Sequence, residues 1–207
     1  MAPVAGVLLA AAVLLAGYLV GSLPAAARIA RLAGVDLAAD GERGAGAAGV
    51  WRLAGPGWGF LALTAELATG VVPVALGIVT FSWAIGWVAG LGAVLGAGWP
   101  GLGRTSGGRG LGTFGGAAFA LAPPAGTLSA LLGLAVLGVG RHAGRDGRTA
   151  AIVTGLVAYP VLFLALQQDL TRLAALLALT LVSSVRLATI RAGERRTRGA
   201  VAHRNRG

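Results

Sequence analysis

The sequence contains no cysteine and no lysine, and only 12% of its 207 residues are charged. Without cysteine, the chain has no disulfide framework, no cysteine zinc site and no thiol nucleophile. Soluble domains of this size carry about 25% charged residues. Too few polar side chains are therefore present to cover a water-exposed surface, which excludes most soluble folds.

Apolar residues are abundant instead, at 56% of the chain with a mean hydropathy of +0.80. Glycine is also abundant, at 36 residues, but without the G-X-Y period that collagen requires. Seventeen arginines against seven acidic residues give a net charge of +10. This composition predicts an all-α, polytopic membrane protein with one basic face.

Five apolar stretches have about the 17–25 residues that a helix needs to cross a hydrocarbon core. They lie at 4–23, 57–80, 81–97, 150–167 and 170–190. A further stretch, 111–140, is interrupted by Pro123 and Pro124, which are unfavourable inside a helix. It forms either one kinked span or two short helices near 111–122 and 125–140.

Arginine positions decide between these alternatives, because arginine concentrates on the cytoplasmic side of membrane proteins. With six crossings, seven arginines lie on one side and ten on the other. With seven crossings, sixteen lie on one side and only Arg172 lies opposite. We therefore predict about seven transmembrane helices, short or broken near 111–140, with the N-terminus outside and the C-terminus cytoplasmic.

The two ends of the chain differ in charge. The first residues lack a basic side chain, whereas Arg28 and Arg31 follow the first apolar run, so a cleaved signal peptide is not expected. A single membrane domain at 1–190 is followed by an arginine-rich predicted cytoplasmic tail at 191–207. The tail favours adhesion to anionic lipid. Nucleic acid is not a predicted partner, because no aromatic platform is interleaved with the arginines.

Three predicted inward loops, at 24–56, 99–113 and 141–150, combine repeated glycine with arginine. Glycine lets backbone N–H groups approach an anion closely, and arginine binds phosphate in a bidentate manner. The loops therefore predict a phosphate site beside the membrane. The alternative is that glycines serve turns and helix packing, as the small-xxx-small pairs Gly86/Gly90, Gly92/Gly96 and Gly112/Gly116 indicate.

Other chemistry has little support in the sequence. His142 and Asp146 are separated by three residues rather than the four of a known acyltransferase pair, and two histidines without cysteine give no metal-ligand spacing. Glu66 lies within an apolar span, and an intramembrane carboxylate is a functional candidate by default. The alternative for Glu66 is a position near the cytoplasmic end or a pairing with arginine. A transporter or channel would need more such intramembrane charges.

Four segments carry a resemblance to the bacterial acyl-phosphate:glycerol-3-phosphate acyltransferase family (the PlsY family). They are GYLVGSLP at 17–24, GVDLAADGERGAGAAGVWRLAG at 34–55, ELATG at 66–70 and GAGWPGLGRTSGGRGLGT at 96–113. The second is similar to the family pattern GIDIR…GSGNxGATNxxRxLG, the third to DxxKG and the fourth to GHxFPxFxxFKGGKGVAT. The order and spacing hold over about 1–125 and weaken towards residue 207.

The resemblance implies an enzyme that moves an acyl group from acyl phosphate to glycerol 3-phosphate and makes lysophosphatidic acid for phospholipid biosynthesis. It implies a multi-pass protein of the bacterial cell membrane with a cytoplasmic active face, and no metal or cofactor. Its partners are these two substrates and membrane lipid, while the oligomeric state stays open. The predicted catalytic residues are Arg52 and Arg109, which align with the family pattern, and Arg104 of the second inward loop. The predicted phosphate-binding residues combine positions of the pattern with the arginines that keep the loops cationic. They are Gly41, Arg43, Gly46, Gly107, Gly108, Arg109, Thr113, Arg148 and Arg186.

The chain departs from the family pattern at several polar positions. Glu42-Arg43-Gly44 stands where the family has Ser-Gly-Asn, and Ala97 and Ser106 stand where it has His and Lys. The remaining positions that differ from the family pattern are Ala48, Gly49, Glu66, Thr69, Arg186 and Thr189. An alternative reading follows, in which the chain is a catalytically impaired homologue that binds phosphorylated lipid or regulates a competent enzyme.

Overall fold

A computed structural model of the chain describes residues 2–37, 46–100, 110–142, 147–167 and 169–204, and all regular secondary structure in these ranges is α-helical. The helices are α1 Ala2–Gly21, α2 Ala25–Leu32, α3 Ala47–Ala54, α4 Pro56–Thr80, α5 Trp83–Gly98, α6 Leu111–Leu121, α7 Pro123–His142, α8 Arg148–Gln167 and α9 Leu170–Arg204.

The described residues include four helical stretches long and apolar enough to cross a membrane and three shorter apolar helices. The long ones are Val4–Leu32, Pro56–Thr80, Pro123–Gly140 and Arg172–Thr189, and the shorter ones are Trp83–Gly98, Leu111–Leu121 and Ala150–Leu166. Each predicted span therefore coincides with an apolar helix, and the all-helical membrane fold is confirmed. The sidedness of the helices stays a prediction.

The stretch 111–140 forms two helices rather than one kinked span. Helix α6 ends at Leu121 and α7 begins at Pro123, where the missing proline N–H removes no intrahelical bond. The two helices pack tightly, because a Cβ atom on Gly126 would lie 2.8 Å from Phe119 Cα. With 11 residues, α6 is only about 17 Å long. Helix α6 is therefore much shorter than a hydrocarbon layer about 30 Å thick.

Helices α1 and α5 meet backbone to backbone along one seam. Cβ atoms on Gly17 and Gly21 would clash with the carbonyl oxygens of α5 residues, and Cβ atoms on Gly92 and Gly96 would clash with carbonyl oxygens of α1. The opposing residues are Ala89, Ala93, Leu14 and Tyr18. Glycine is therefore required on both helices for this approach.

Helices α4 and α6 form a second glycine seam. A Cβ on Gly70 would clash with the Thr113 carbonyl oxygen, and one on Gly116 would clash with the Leu67 carbonyl oxygen. Gly86 and Gly90 of α5 lie against Val74 and Ile78 of α4. The predicted packing role of the small-xxx-small pairs is confirmed.

Large side chains fill the space between α6, α8 and α9. Tyr159 and Phe163 of α8 are fully buried, as are Leu176 and Leu179 of α9. The Phe114 ring meets the Tyr159 ring edge to face at 5.9 Å, and the Tyr159 hydroxyl donates to the Ala118 carbonyl oxygen at 3.2 Å. A smaller cluster packs α2 and α3 onto α4.

The last helix is longer than a membrane crossing requires. Its 35 residues correspond to about 52 Å, against a hydrocarbon core of about 30 Å. The helix runs through most of the predicted tail and ends at Arg204. The division into a membrane domain at 1–190 and a tail at 191–207 stays a prediction.

The α1–α5 seam predicts a difference between two glycines of the same helix. Gly17→Ala places a methyl group against the Ala89 carbonyl oxygen, and such overpacking costs about 1–3 kcal/mol. Gly6→Ala is the matched control, because no atom lies within 4 Å of a Cβ there. We expect the thermal unfolding midpoint in detergent to fall for Gly17→Ala only. Equal midpoints for the two variants would contradict the seam.

Candidate functional site

The starts of α3 and α6 both meet α4 at one acidic side chain, Glu66. The backbone N–H of Ala47, the first residue of α3, donates to Glu66 Oε1 at 3.2 Å. The preceding Gly46 has φ +79°, a conformation that favours glycine. On the other side, Gly112 in the first turn of α6 lies directly against Glu66. This acid therefore joins the ends of two of the predicted phosphate loops.

A pair of threonines lies one turn along α4 from Glu66. Thr69 Oγ1 donates to the Glu66 carbonyl oxygen at 2.7 Å and lies 2.8 Å from Thr113 Oγ1. Since the Thr69 hydroxyl has one proton, which it gives to that carbonyl, Thr113 is the donor of the second bond. Thr113 is only 4% exposed. Its hydroxyl thus ties α6 to α4 inside the protein.

A second junction lies where α5 ends and α6 begins. A Cβ on Gly110 would lie 3.5 Å from the Gly98 nitrogen, and a Cβ on Gly98 would lie 3.5 Å from Arg186 Cγ. The guanidinium carbon of Arg186 lies 5.5 Å from the centre of the Trp99 ring. Arg186 of α9 is therefore held beside the end of α5, with its cation over the aromatic face of Trp99.

Arg186 has a donor that nothing in the described part of the chain accepts. Its Nε is buried and lacks a hydrogen-bond partner there. A buried unpaired donor is unfavourable, and more so on a charged group. An anionic oxygen beside Trp99 would satisfy it, so the arrangement is suited to a carboxylate or phosphate ligand.

Helix α1 holds Trp99 in place from the other side. The Tyr18 hydroxyl donates to the Trp99 carbonyl oxygen at 2.8 Å. Ser22, one turn later, donates to the Tyr18 carbonyl oxygen at 2.8 Å. The aromatic partner of Arg186 is thus fixed through its backbone by α1.

The predicted site residues fall into three groups. Gly46, Thr113 and Arg186 lie at the junctions just described. Arg52 is exposed in the last turn of α3. It therefore lies at the other end of this helix from the contact between Ala47 and Glu66. Arg148 begins α8. The predictions for Gly41, Arg43, Arg104, Gly107, Gly108 and Arg109 fall outside the described residues.

The structure adds partners that the sequence does not indicate. Tyr18 and Trp99 support Arg186, yet they belong to helices distant from it in sequence, and no spacing rule links them. Glu66 is identifiable as an intramembrane acid, but its described partner is a backbone N–H rather than an arginine. Within the described residues, no group of three or more His, Cys, Asp or Glu side chains is placed to hold a metal.

Comparison with known proteins agrees with this architecture. The family model described as "Glycerol-3-phosphate acyltransferase" matches residues 11–193. Proteins named glycerol-3-phosphate acyltransferase from Desulforudis audaxviator and Rubrobacter xylanophilus are 37% identical over 60% of this chain and 40% identical over 54% of it. The matches span 64% and 57% of those relatives' lengths, which is less than two thirds of each.

A relative of the same name from Pseudomonas syringae pv. syringae is 36% identical over 70% of this chain and 74% of its own. The crystal structure of PlsY (YgiH), an integral membrane glycerol 3-phosphate acyltransferase in its glycerol 3-phosphate form, aligns with a TM-score of 0.73 and 25% identity over 92% of both chains. Its lysophosphatidic acid form aligns equally well over 86% of this chain and 87% of its own. The chain therefore belongs to the glycerol-3-phosphate acyltransferase family.

Proposed function

We propose that this membrane protein transfers an acyl group from acyl phosphate to the 1-hydroxyl of glycerol 3-phosphate. The hydroxyl oxygen forms an ester bond with the acyl carbon, the acyl–phosphate bond breaks, and phosphate leaves with lysophosphatidic acid as the product. The observation that carries the proposal is the family match over residues 11–193. The shared fold with structures named for glycerol 3-phosphate and lysophosphatidic acid supports the same chemistry.

Phosphate recognition is the part of this activity that the described side chains support best. Both substrates and the product carry phosphate, and Arg186 has a buried donor without a partner in the described region. The start of α6 adds backbone N–H groups that lack intrahelical acceptors, and helix starts attract anions. At the start of α3, the Ala47 N–H is already bonded to Glu66. A cation and the amide donors of α6 thus suit phosphate-bearing substrates.

The individual roles are part of the proposal. We assign catalytic roles to Arg52, Arg104 and Arg109, which would stabilise charge that develops on the acyl carbonyl and the leaving phosphate. We assign phosphate binding to Gly41, Arg43, Gly46, Gly107, Gly108, Arg109, Thr113, Arg148 and Arg186. The Thr113 hydroxyl is bonded to Thr69, so its contribution is to hold the first turn of α6 in place.

A second candidate function is favoured by the departures from the family pattern. Glu42 stands where the family has serine, and a carboxylate beside phosphate repels it. Ala97 removes an imidazole and Ser106 removes a cation. A catalytically impaired homologue that binds phosphorylated lipid, or regulates a competent enzyme, would keep Arg186 and the two helix starts while losing the reaction.

We also propose the bacterial cell membrane as the location, with the active face cytoplasmic. The chain has the apolar helices of an integral membrane protein. Sixteen of its seventeen arginines share one side when the seven apolar helices all cross, and that side is cytoplasmic by the positive-inside rule. Both predicted substrates are phosphorylated, which matches a basic face.

The first prediction is an activity. Membranes that contain the chain are expected to form lysophosphatidic acid from acyl phosphate and glycerol 3-phosphate, and omission of either substrate should abolish the product. Membranes from an empty vector are the control. Binding of glycerol 3-phosphate without any product above that control would refute the acyltransferase and favour the impaired homologue.

The second prediction concerns Arg186. Arg186→Leu removes the guanidinium group with its buried Nε donor, and loss of a charged hydrogen bond to substrate costs about 1.5–3 kcal/mol. We therefore expect the KM for a phosphorylated substrate to rise about 10- to 100-fold. Arg186→Lys keeps the charge but loses the planar group over Trp99 and should be intermediate.

Arg172→Leu is the matched control for Arg186→Leu. Arg172 also lies on α9 and over a tryptophan, Trp83, at 5.1 Å, and it pairs with Asp169 at 3.0 Å. It lies 14 residues before Arg186 on the same helix, about 21 Å away along the axis, so its loss should leave KM unchanged. Equal effects of the two substitutions would remove Arg186 from the site.

The third prediction concerns sidedness. A phosphatase fused to the N-terminus should be active, because that end is predicted to lie outside, and a fluorescent protein fused after residue 207 should fluoresce in the cytoplasm. An odd number of crossings requires the two ends to lie on opposite sides. Reporters that place both ends on one side would contradict seven crossings and the proposed active face.

A further inference from the structure

We infer that Glu66 is a positioning residue that fixes the start of α3 against the start of α6, and that Gly112 leaves the space in which its carboxyl group lies. The two helix starts are the described ends of two Gly-rich loops assigned to phosphate binding. The effect on reaction rate therefore rests on the proposed function, whereas the contact itself does not.

The contact with α3 is specific to the carboxyl group. Oε1 of Glu66 accepts the Ala47 N–H at 3.2 Å. A Cβ on Gly46 would lie 3.1 Å from the same oxygen, so the acid also occupies the space beside the Gly46 backbone. Because Gly46 has φ +79°, the turn into α3 has a conformation that few other residues adopt. The carboxyl group thus defines where the first loop enters its helix.

The contact with α6 leaves no room for a side chain. A Cβ on Gly112 would lie 2.7 Å from both Cβ and Oε2 of Glu66, which is shorter than a van der Waals contact. The two helices have little freedom to separate, because Gly70 and Gly116 hold them backbone to backbone. A methyl group at position 112 would therefore displace the Glu66 side chain from Ala47.

The residue types at the two positions also fit one another. The family pattern that the chain resembles has Asp at position 66 and Ala at position 112. This chain has Glu66, which is one methylene group longer than Asp, and Gly112, which is one methyl group smaller than Ala. These two differences are expected to occur together if the Glu66 side chain fills the space that Gly112 leaves.

The experiment compares five variants, which are Glu66→Ala, Glu66→Gln, Gly112→Ala, Gly115→Ala and the double variant Glu66→Ala/Gly112→Ala. Glu66→Gln keeps an oxygen that accepts from Ala47. Gly115→Ala is the matched control on α6, because its Cβ would lie 3.5 Å from Leu67 Cδ2, an ordinary contact. Each purified variant is assayed for thermal unfolding midpoint and for kcat and KM per folded molecule.

A positioning role predicts a distinct pattern. Glu66→Ala and Gly112→Ala should each raise the KM for glycerol 3-phosphate or lower kcat/KM by about 10- to 100-fold, as expected for loops displaced by about 1 Å. Glu66→Gln and Gly115→Ala should stay close to wild type. In the double variant, Gly112→Ala should lose only the part of its effect that passes through the carboxyl group, because alanine at position 66 keeps the Cβ that the new methyl group meets.

Two outcomes would overturn the inference. One is a normal KM and kcat/KM per folded Glu66→Ala molecule, whatever its unfolding midpoint, since that describes a scaffold residue only. The other is an equal effect of Gly112→Ala and Gly115→Ala.

If wild type makes no lysophosphatidic acid, the proposed function fails. The role of Glu66 is then tested by whether glycerol 3-phosphate raises the thermal unfolding midpoint of each variant. The inference requires stabilisation of wild type and Glu66→Gln but not of Glu66→Ala or Gly112→Ala, and any other pattern refutes it.

Discussion

Close approach of helix backbones at glycine is the constraint on which the rest of this structure depends. In lipid, apolar side chains gain little by leaving their surroundings, so helices associate through packing of small residues and through hydrogen bonds. The seams between α1 and α5 and between α4 and α6 place carbonyl oxygens where side chains would otherwise lie. These seams hold α5 against α1 and α6 against α4.

Glycine also lets this chain, which has no lysine, hold a cation at the end of α5. Arg186 lies on α9 but reaches the end of α5, because Gly98 leaves space for its side chain and Trp99 offers an aromatic face. The planar, weakly hydrated guanidinium group tolerates such a partly buried position better than an ammonium group. Tyr18 then fixes Trp99 from α1. Three helices thus cooperate to hold one charge.

Hydropathy and proline predict the helices because a membrane imposes a minimum apolar length and proline interrupts the backbone ladder. The break between Leu121 and Pro123 follows directly from that rule. The contacts of the site do not, because Glu66 with Ala47 and Arg186 with Trp99 join residues that no local period relates. The sequence likewise assigns Arg52 and Arg186 to one site. It does not predict that Arg52 lies in the exposed last turn of α3.

The polar side chains that the family has and this chain lacks, and the helix packing that it keeps, contribute differently to lowering an activation barrier. One missing transition-state donor costs about 2.7–4 kcal/mol, whereas correct orientation of two bound reactants contributes about 7–11 kcal/mol. Under the proposed function, the glycine seams and the Glu66 contact act on orientation, whereas Glu42 and Ala97 replace individual polar groups. No single absent donor outweighs orientation, whereas three that act independently would together cost about 8–12 kcal/mol, as much as orientation contributes. Displacement of the loops, rather than any one substitution in them, is the change that acyl transfer tolerates least.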